Sequence, residues 1–204
     1  MKKSFVNNLA FAAVLMLIVM SLTACGKNSD ADNSDKSSIE IRKDGTVIST
    51  IVADFAESYY STDELKEMTE NEINAFVVSN GEDSASFESI DSKDGKVRLV
   101  IKFGSASDYA HFNDEMLLYE TVSDAVISGQ IDVNSLVDKD GNTIEPDKAD
   151  SLSSQHVVIC ASKGLVSVPY KIRYASKNIK LIDKKTADFS GLADDASACL
   201  VLDK

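Results

Sequence analysis

Ile39-Glu40-Ile41-Arg42-Lys43-Asp44-Gly45-Thr46-Val47, running on to Phe55, is the stretch whose reading decides the fold. Ile39 and Ile41 alternate with polar residues, Asp44-Gly45 supplies the turn, and Val47 to Phe55 returns as a second strand. A helix follows directly. Ser61 stands at its N-cap, Glu64 three residues on completes a capping box, and Tyr60 and Leu65 occupy the two staple positions. Asn80-Gly81 closes it. At 100° per residue, Leu65, Met68, Ile73, Ala75 and Phe76 fall within an arc of about 160°, which predicts a core-facing stripe.

The same grammar recurs downstream. Lys43-Asp44-Gly45-x-Val47-x3-Ile51 is matched by Lys93-Asp94-Gly95-x-Val97-x3-Ile101, and Val97, Leu99, Ile101 and Phe103 alternate as a half-buried strand should. A short helix over Ala106 to Asn113 follows, with Ser105 as cap and Asp108 at the third position. The order ββα is therefore read twice, either as a duplication or as the coincidence of two common hairpin signals. Met116 to Glu120 reads as a strand and Val122 to Ser128 as a helix ending at Gly129. Beyond Gln130 the signals turn to strand: Val133 to Val137, a turn at Lys139-Asp140-Gly141, His156 to Ala161, Leu165 to Tyr174, Ile179 to Ile182 and Ala198 to Leu202. Pro169 lacks a ladder donor, so its strand should be an edge or carry a bulge. Asn142 to Ser154 is the least regular part and reads as a surface excursion. The class is α+β: an antiparallel sheet of hairpins with one long helix across it and a strand-rich C-terminal part.

Upstream lies a leader. Lys2 and Lys3 form a positive n-region, and Leu9 to Met20 is an apolar run of 12 residues, shorter than the roughly 20 needed to span a bilayer. Leu22-Thr23-Ala24-Cys25 then resembles the lipobox of bacterial prolipoproteins. That resemblance implies cleavage between Ala24 and Cys25, a diacylglyceryl thioether on the Cys25 thiol, and acyl chains such as palmitate holding the protein on the outer face of the cell membrane. The domain organisation expected is a signal peptide over 1–24, a lipidated Cys25 with a polar tether over 25–38, and an extracytoplasmic domain over 39–204 with a sub-boundary near 130. The 13 residues after Cys25 have almost nothing to bury and give a reach of about 20 Å.

Charge narrows the partners. Lys2 and Lys3 are the leader's only charged residues, so the rest carries 19 basic against 33 acidic side chains, a net of −14. Such a surface repels nucleic acid and anionic headgroups. No nucleic-acid partner is expected.

The residues that bear chemistry are scattered. Asp138-x-Asp140-x-Asn142 resembles the start of a calcium loop, yet Thr143 stands where the turn glycine belongs and Ala149 where a bidentate Glu should be, so turn chemistry explains it. Asp108, His111 and Glu115 share a helical face without making a metal motif, and neither a metal nor a cofactor is expected. Cys160 and Cys199 each sit in an apolar strand, and two readings stay open: a disulfide, which the compartment permits, or two buried free thiols. No G-x-S-x-G, P-loop or H-E-x-x-H occurs, and Ser153-Ser154-x-His156 is adjacency in sequence only. Tyr59, Tyr60, Tyr170 and Tyr174 could stack against a ligand in a chain without Trp. Glu72 breaks the helix pattern by falling inside the apolar arc: either it lies at a rim, or it is buried with a partner and is a tuned acid.

Ile41-Arg42-Lys43-Asp44-Gly45 … Phe55 … Tyr59-Tyr60 … Glu64-Leu65, with Asp108-Tyr109-Ala110 … Phe112-Asn113, resembles a group of uncharacterised lipoproteins from Gram-positive anaerobes. The likeness covers Ile39 to Gln130 and rests on turn, cap and packing residues. It implies an extracytoplasmic α+β domain and carries over no functional residue. The leading functional reading is a non-catalytic surface domain that binds an envelope protein or a small ligand. The alternative is an envelope hydrolase whose acids are drawn from Asp54, Glu64 and Glu72.

Replacement of the acceptor thiol, Cys25→Ala or Cys25→Ser, is expected to abolish lipidation and leave uncleaved precursor. Mass spectrometry of the N-terminus checks it: an unmodified terminus beginning at another residue in the wild type would remove the lipoprotein reading.

Overall fold

The computed structural model describes residues 35–145, 148 and 150–204; the lipobox, Cys25 and the tether up to residue 34 lie outside the described residues. The class is α+β, with two mostly antiparallel sheets, of seven and five strands, and three α-helices among the described residues. The chain divides into two compact units. The first comprises residues 35–37 and Ser49–Lys102; the second comprises Ser38–Ile48 and Phe103–Lys204. The chain passes between the units after Ser37, Ile48 and Lys102.

In the first unit β2 (Val47–Asp54, from Ser49 on), β4 (Lys96–Phe103, up to Lys102) and β3 (Ala85–Lys93) lie side by side in that order. Asp94 and Gly95 both take positive φ, 52° and 73°, so the β3–β4 turn is a two-residue hairpin of the kind the strand twist favours. Helix α1 (Thr62–Asn80) packs on β3. Its start matches the sequence expectation, since the Ser61 hydroxyl accepts the Glu64 N–H at 3.3 Å. At its end the Gly81 N–H bonds the Val77 carbonyl at 2.8 Å, with φ at 108°.

The buried face of α1 differs from the expected stripe. Leu65, Thr69 and Ile73 are buried, while Met68 is 38% exposed and Ala75 is exposed. The face is therefore centred on Thr69, about 40° round from Leu65. A hydroxyl can occupy the centre because Thr69 Oγ1 donates to the Leu65 carbonyl at 2.8 Å and leaves no polar atom unpaired. Leu65 packs there with Ala53 and Val97, flanked by Phe55 and Ile90.

In the second unit β1 (Ser38–Ile41) runs parallel to β8 (Leu165–Ser167), Ile39 facing Val166. β11 (Thr186–Asp188) and β10 (Lys180–Leu181) extend this group antiparallel. The turn after β1 closes as expected, with the Arg42 N–H on the Thr46 carbonyl at 2.9 Å and Gly45 at φ 87°. A five-stranded sheet has the order β5 (Leu117–Thr121), β7 (His156–Cys160), β12 (Ala198–Asp203), β9 (Lys171–Ser176), β6 (Leu136–Val137). Helix α2 (Ala106–Asn113) packs on β5, and helix α3 (Val122–Ile127) touches β5 and β7.

Two expectations for this half are corrected. Leu165 to Tyr174 is not one strand: Pro169 interrupts it, and the halves become β8 and β9 in different sheets. Val133 to Val137 is a 3₁₀ turn over Val133–Ser135 followed by a two-residue strand. The order ββα does recur, but the turns differ, with positive φ at Gly45 alone in one and at both Asp94 and Gly95 in the other.

The irregular segment after Asn142 is also more than a surface excursion. Ile144 and Leu152 are buried in one cluster with Val122, Ala125, Val157, Ile159 and Val201. The N–H groups of Val122 and Ser123 bond the carbonyls of Gln155 and Ser153 and tie α3 to this loop. Leu152→Ala is expected to cost about 2–5 kcal/mol, the range for a fully buried leucine whose site cannot collapse. Denaturant unfolding measures it; a loss below about 0.5 kcal/mol would place Leu152 on a loose surface loop.

Candidate functional site

One end of the five-stranded sheet gathers side chains from five distant segments of the second unit. Thr121 pairs with His156, and side chains alternate along a strand, so Tyr119 and His156 project from the same face as diagonal neighbours. Their rings lie 5.0 Å apart. Tyr170 follows Pro169 and precedes β9, and its ring is 6.3 Å from that of His156. Lys204 follows β12, whose Asp203 faces Lys171. Its N–H bonds Gln155 Oε1 at 2.7 Å, and its Nζ is 3.5 Å from His156 Nε2. Lys43, from the turn after β1, completes the group.

Both ammonium groups address one ring. Lys204 Nζ lies 5.7 Å and Lys43 Nζ 5.9 Å from the Tyr170 centroid, so the two are within about 12 Å of each other. Among the described residues neither is paired with a side-chain carboxylate, whereas Lys66, Lys96, Lys139 and Lys163 each pair with one. Two lysines directed at one aromatic ring make this spot locally cationic in a chain with 33 acidic side chains. His156 Nδ1 is buried without a partner. Burial, and then the Lys204 charge, hold the His156 imidazole below its ordinary pKa; burial, and then Tyr170, raise the Tyr119 phenol.

Lys43 also rims an open cleft of about 520 Å³. Its apolar part is Ile41, Val168 and Pro169, and Arg42 and Lys185 are its other cations. Arg42 Nε reaches Glu40 Oε1 at 3.4 Å, and Lys185 Nζ donates to the Pro169 carbonyl at 2.8 Å. Lys43 is thus the cation common to the cleft and the ring cluster. A smaller cleft of about 270 Å³ runs beside β5 and is lined by Leu117 to Glu120 and Ser105 to Ser107.

The residues singled out by sequence mostly lie elsewhere. Asp138 Oδ1 accepts the N–H groups of Asp140 and Asn142, both at 2.9 Å, and these bonds, Asn142 first, hold its carboxyl below the usual range. The Asp138-x-Asp140-x-Asn142 loop is therefore bonded to itself. The expected helical face of Asp108, His111 and Glu115 does not form, because α2 ends at Asn113 and Asp114 caps it in a left-handed conformation; Asp108 accepts the Ser105 hydroxyl at 2.6 Å, and Glu115, beyond the helix, accepts the Tyr109 hydroxyl at 2.7 Å. Among the described residues no group of three His, Cys, Asp or Glu is placed to hold a metal.

Cys160 and Cys199 are free, buried thiols. Cys199 pairs with Ile159 and Cys160 with Ala198, so adjacent positions send the two sulfurs to opposite faces of the sheet. A disulfide between them is excluded by that register. Burial pushes the Cys160 thiol up to about 12, and burial likewise raises Cys199.

Tyr60 stacks on Phe55 with centroids 4.9 Å apart, and Tyr59 meets Tyr60 edge-on. Tyr174 packs against the α3-side core and Arg173. Only Tyr170 of the four joins the ring cluster. Asp54 and Glu64 are exposed, and neither cleft is lined by Asp54, Glu64 or Glu72. Comparison with family profiles, with curated proteins and with solved structures finds no match to this chain.

Glu72 is half-buried at the rim of the rotated stripe and has no hydrogen-bond partner among the described residues. The buried, paired acid is therefore not what forms. Burial raises its carboxyl pKa. An acid whose folded pKa exceeds the unfolded one favours the fold fully only below the unfolded value, and that contribution is lost as pH rises through the folded one. Glu72→Gln is expected to raise Tm relative to wild type at pH 7, with the gain shrinking toward pH 4. Equal Tm differences at both pH values would show that Glu72 is not desolvated.

Proposed function

We propose that this chain is a lipid-anchored, extracytoplasmic and non-catalytic binding domain, held to the cell membrane through Cys25. The lipobox supports the anchor and the face. The single observation that carries the binding reading is the pair of lysines, Lys43 and Lys204, held on the Tyr170 ring without a carboxylate partner. Paired surface lysines contribute little and are easily dispensed with. Two left unpaired on an aromatic, beside an imidazole with a buried orphan nitrogen, form a surface whose charge is satisfied from outside the fold.

Native mass spectrometry of the protein purified from its own membranes tests this. Wild type is expected to carry a non-covalent adduct, a small ligand or a partner chain, that the Lys43→Ala/Lys204→Ala variant loses while its unfolding curve stays that of the wild type. An identical adduct pattern in both proteins would move the binding site elsewhere.

A further inference from the structure

We propose that the Lys43–Tyr170–His156–Lys204 cluster is a site for a compact oxyanion, a phosphate or carboxylate group, that is bound together with a proton taken up on His156. The inference rests on the binding reading above and names its ligand class. Geometry supplies the argument. Lys204 Nζ faces His156 Nε2 at 3.5 Å, and since an ammonium only donates, Nε2 is the unprotonated nitrogen that accepts. Protonation of that nitrogen would set two cations against each other with no counter-charge between them. An oxyanion inserted there accepts from Lys204 Nζ and from a protonated His156 Nε2, and Lys43, within about 12 Å of Lys204 on the same ring, adds positive potential without a direct contact.

The groups that face His156 are few and their charges agree. β5 contributes Tyr119, the segment before β9 contributes Tyr170, and the end of β12 contributes Lys204. Gln155 beside it is neutral and engaged with the Lys204 N–H. None of these side chains is anionic near neutral pH, so the ligand must bring the negative charge. Binding and protonation are then linked: the anion raises the imidazole pKa, and affinity falls as pH rises through the titration range of His156. The Tyr119 hydroxyl, raised by its burial, stays protonated throughout that range.

The chain has two histidines, and His111, exposed on α2 outside the cluster, is an internal control. The full-length protein in detergent micelles, with labelled histidine, is titrated with sodium phosphate and separately with sodium acetate at fixed ionic strength. The expected result is a saturable shift of the His156 ring signals only, and an upward move of its titration midpoint when bound. Affinity should be weaker by about tenfold or more at pH 8 than at pH 5.5, and by about tenfold in Lys204→Ala or Lys43→Ala. Phosphate alone, acetate alone or both would each support the site and say which oxyanion it prefers. Equal, non-saturating shifts at both histidines, or unchanged affinity in both lysine variants, would overturn it. If neither anion binds while the native adduct still depends on Lys43 and Lys204, the binding reading stands and the oxyanion class fails alone.

Discussion

The register of β12 between β7 and β9 is the constraint on which the second unit depends. Ala198 to Val201 face Cys160 to Val157 in unbroken antiparallel order, and on the other side a bulge at Val201/Leu202 shifts the pairing with β9. That register decides three things together. It sends Val201, Cys199, Val157 and Ile159 to the face covered by α3 and the Leu152 loop. It sends the two cysteine sulfurs to opposite sides of the sheet. It also delivers Lys204 beside Gln155 and His156, where the ring cluster forms. Because side chains alternate, a slip of one residue would exchange core and surface along the whole strand.

The local parts of this fold are legible because their causes are local. Ser61 and Ser105 cap helices through hydroxyl contacts three residues on, and Asp94-Gly95 makes a turn whose two positive φ angles those residues accept readily. What escapes a linear reading is whatever a distant strand decides. The parallel pairing of β1 with β8 joins residues more than a hundred positions apart, and nothing in Ile39 or Val166 names the other. Pro169 shows the same limit: a missing donor marks an irregularity, but not that the two flanking strands go to different sheets. Thr69 misleads for another reason. A polar residue is scored as outward-facing, yet its hydroxyl is satisfied within its own helix, so it can centre the buried face and carry Met68 outward.

The site was less legible than the fold, and its residues show why. Lys43 belongs to a Lys-Asp-Gly turn that occurs three times, so its neighbours in sequence describe a turn. His156 is noticeable beside Ser153 and Ser154, but its contacts are Tyr119, Tyr170 and Lys204, which the strand order supplies. Glu72 drew notice as an acid within an apolar arc; once the arc turns to centre on Thr69, the acid moves to its rim. The one signal open to a reader of the sequence was Tyr170 directly after Pro169, an aromatic placed where a strand must break.

An acidic chain and a cationic site are compatible because charge acts over different ranges at approach and at contact. At physiological ionic strength, exposed charges farther apart than about 8 Å are largely screened, so the net charge of the chain is felt weakly by a small ligand. At contact, two unit charges 4 Å apart at an effective dielectric of 20 interact by about 4 kcal/mol, and the nearest groups decide the sign. A compact oxyanion held by Lys204 and His156, with Lys43 on the same ring, would be governed chiefly by those nearest charges. A polyanion would also set its remaining charges against a chain whose acids outnumber its bases. On the reading proposed above, the acid excess and the lysine pair would together favour a small anion at the Tyr170 ring over a large one.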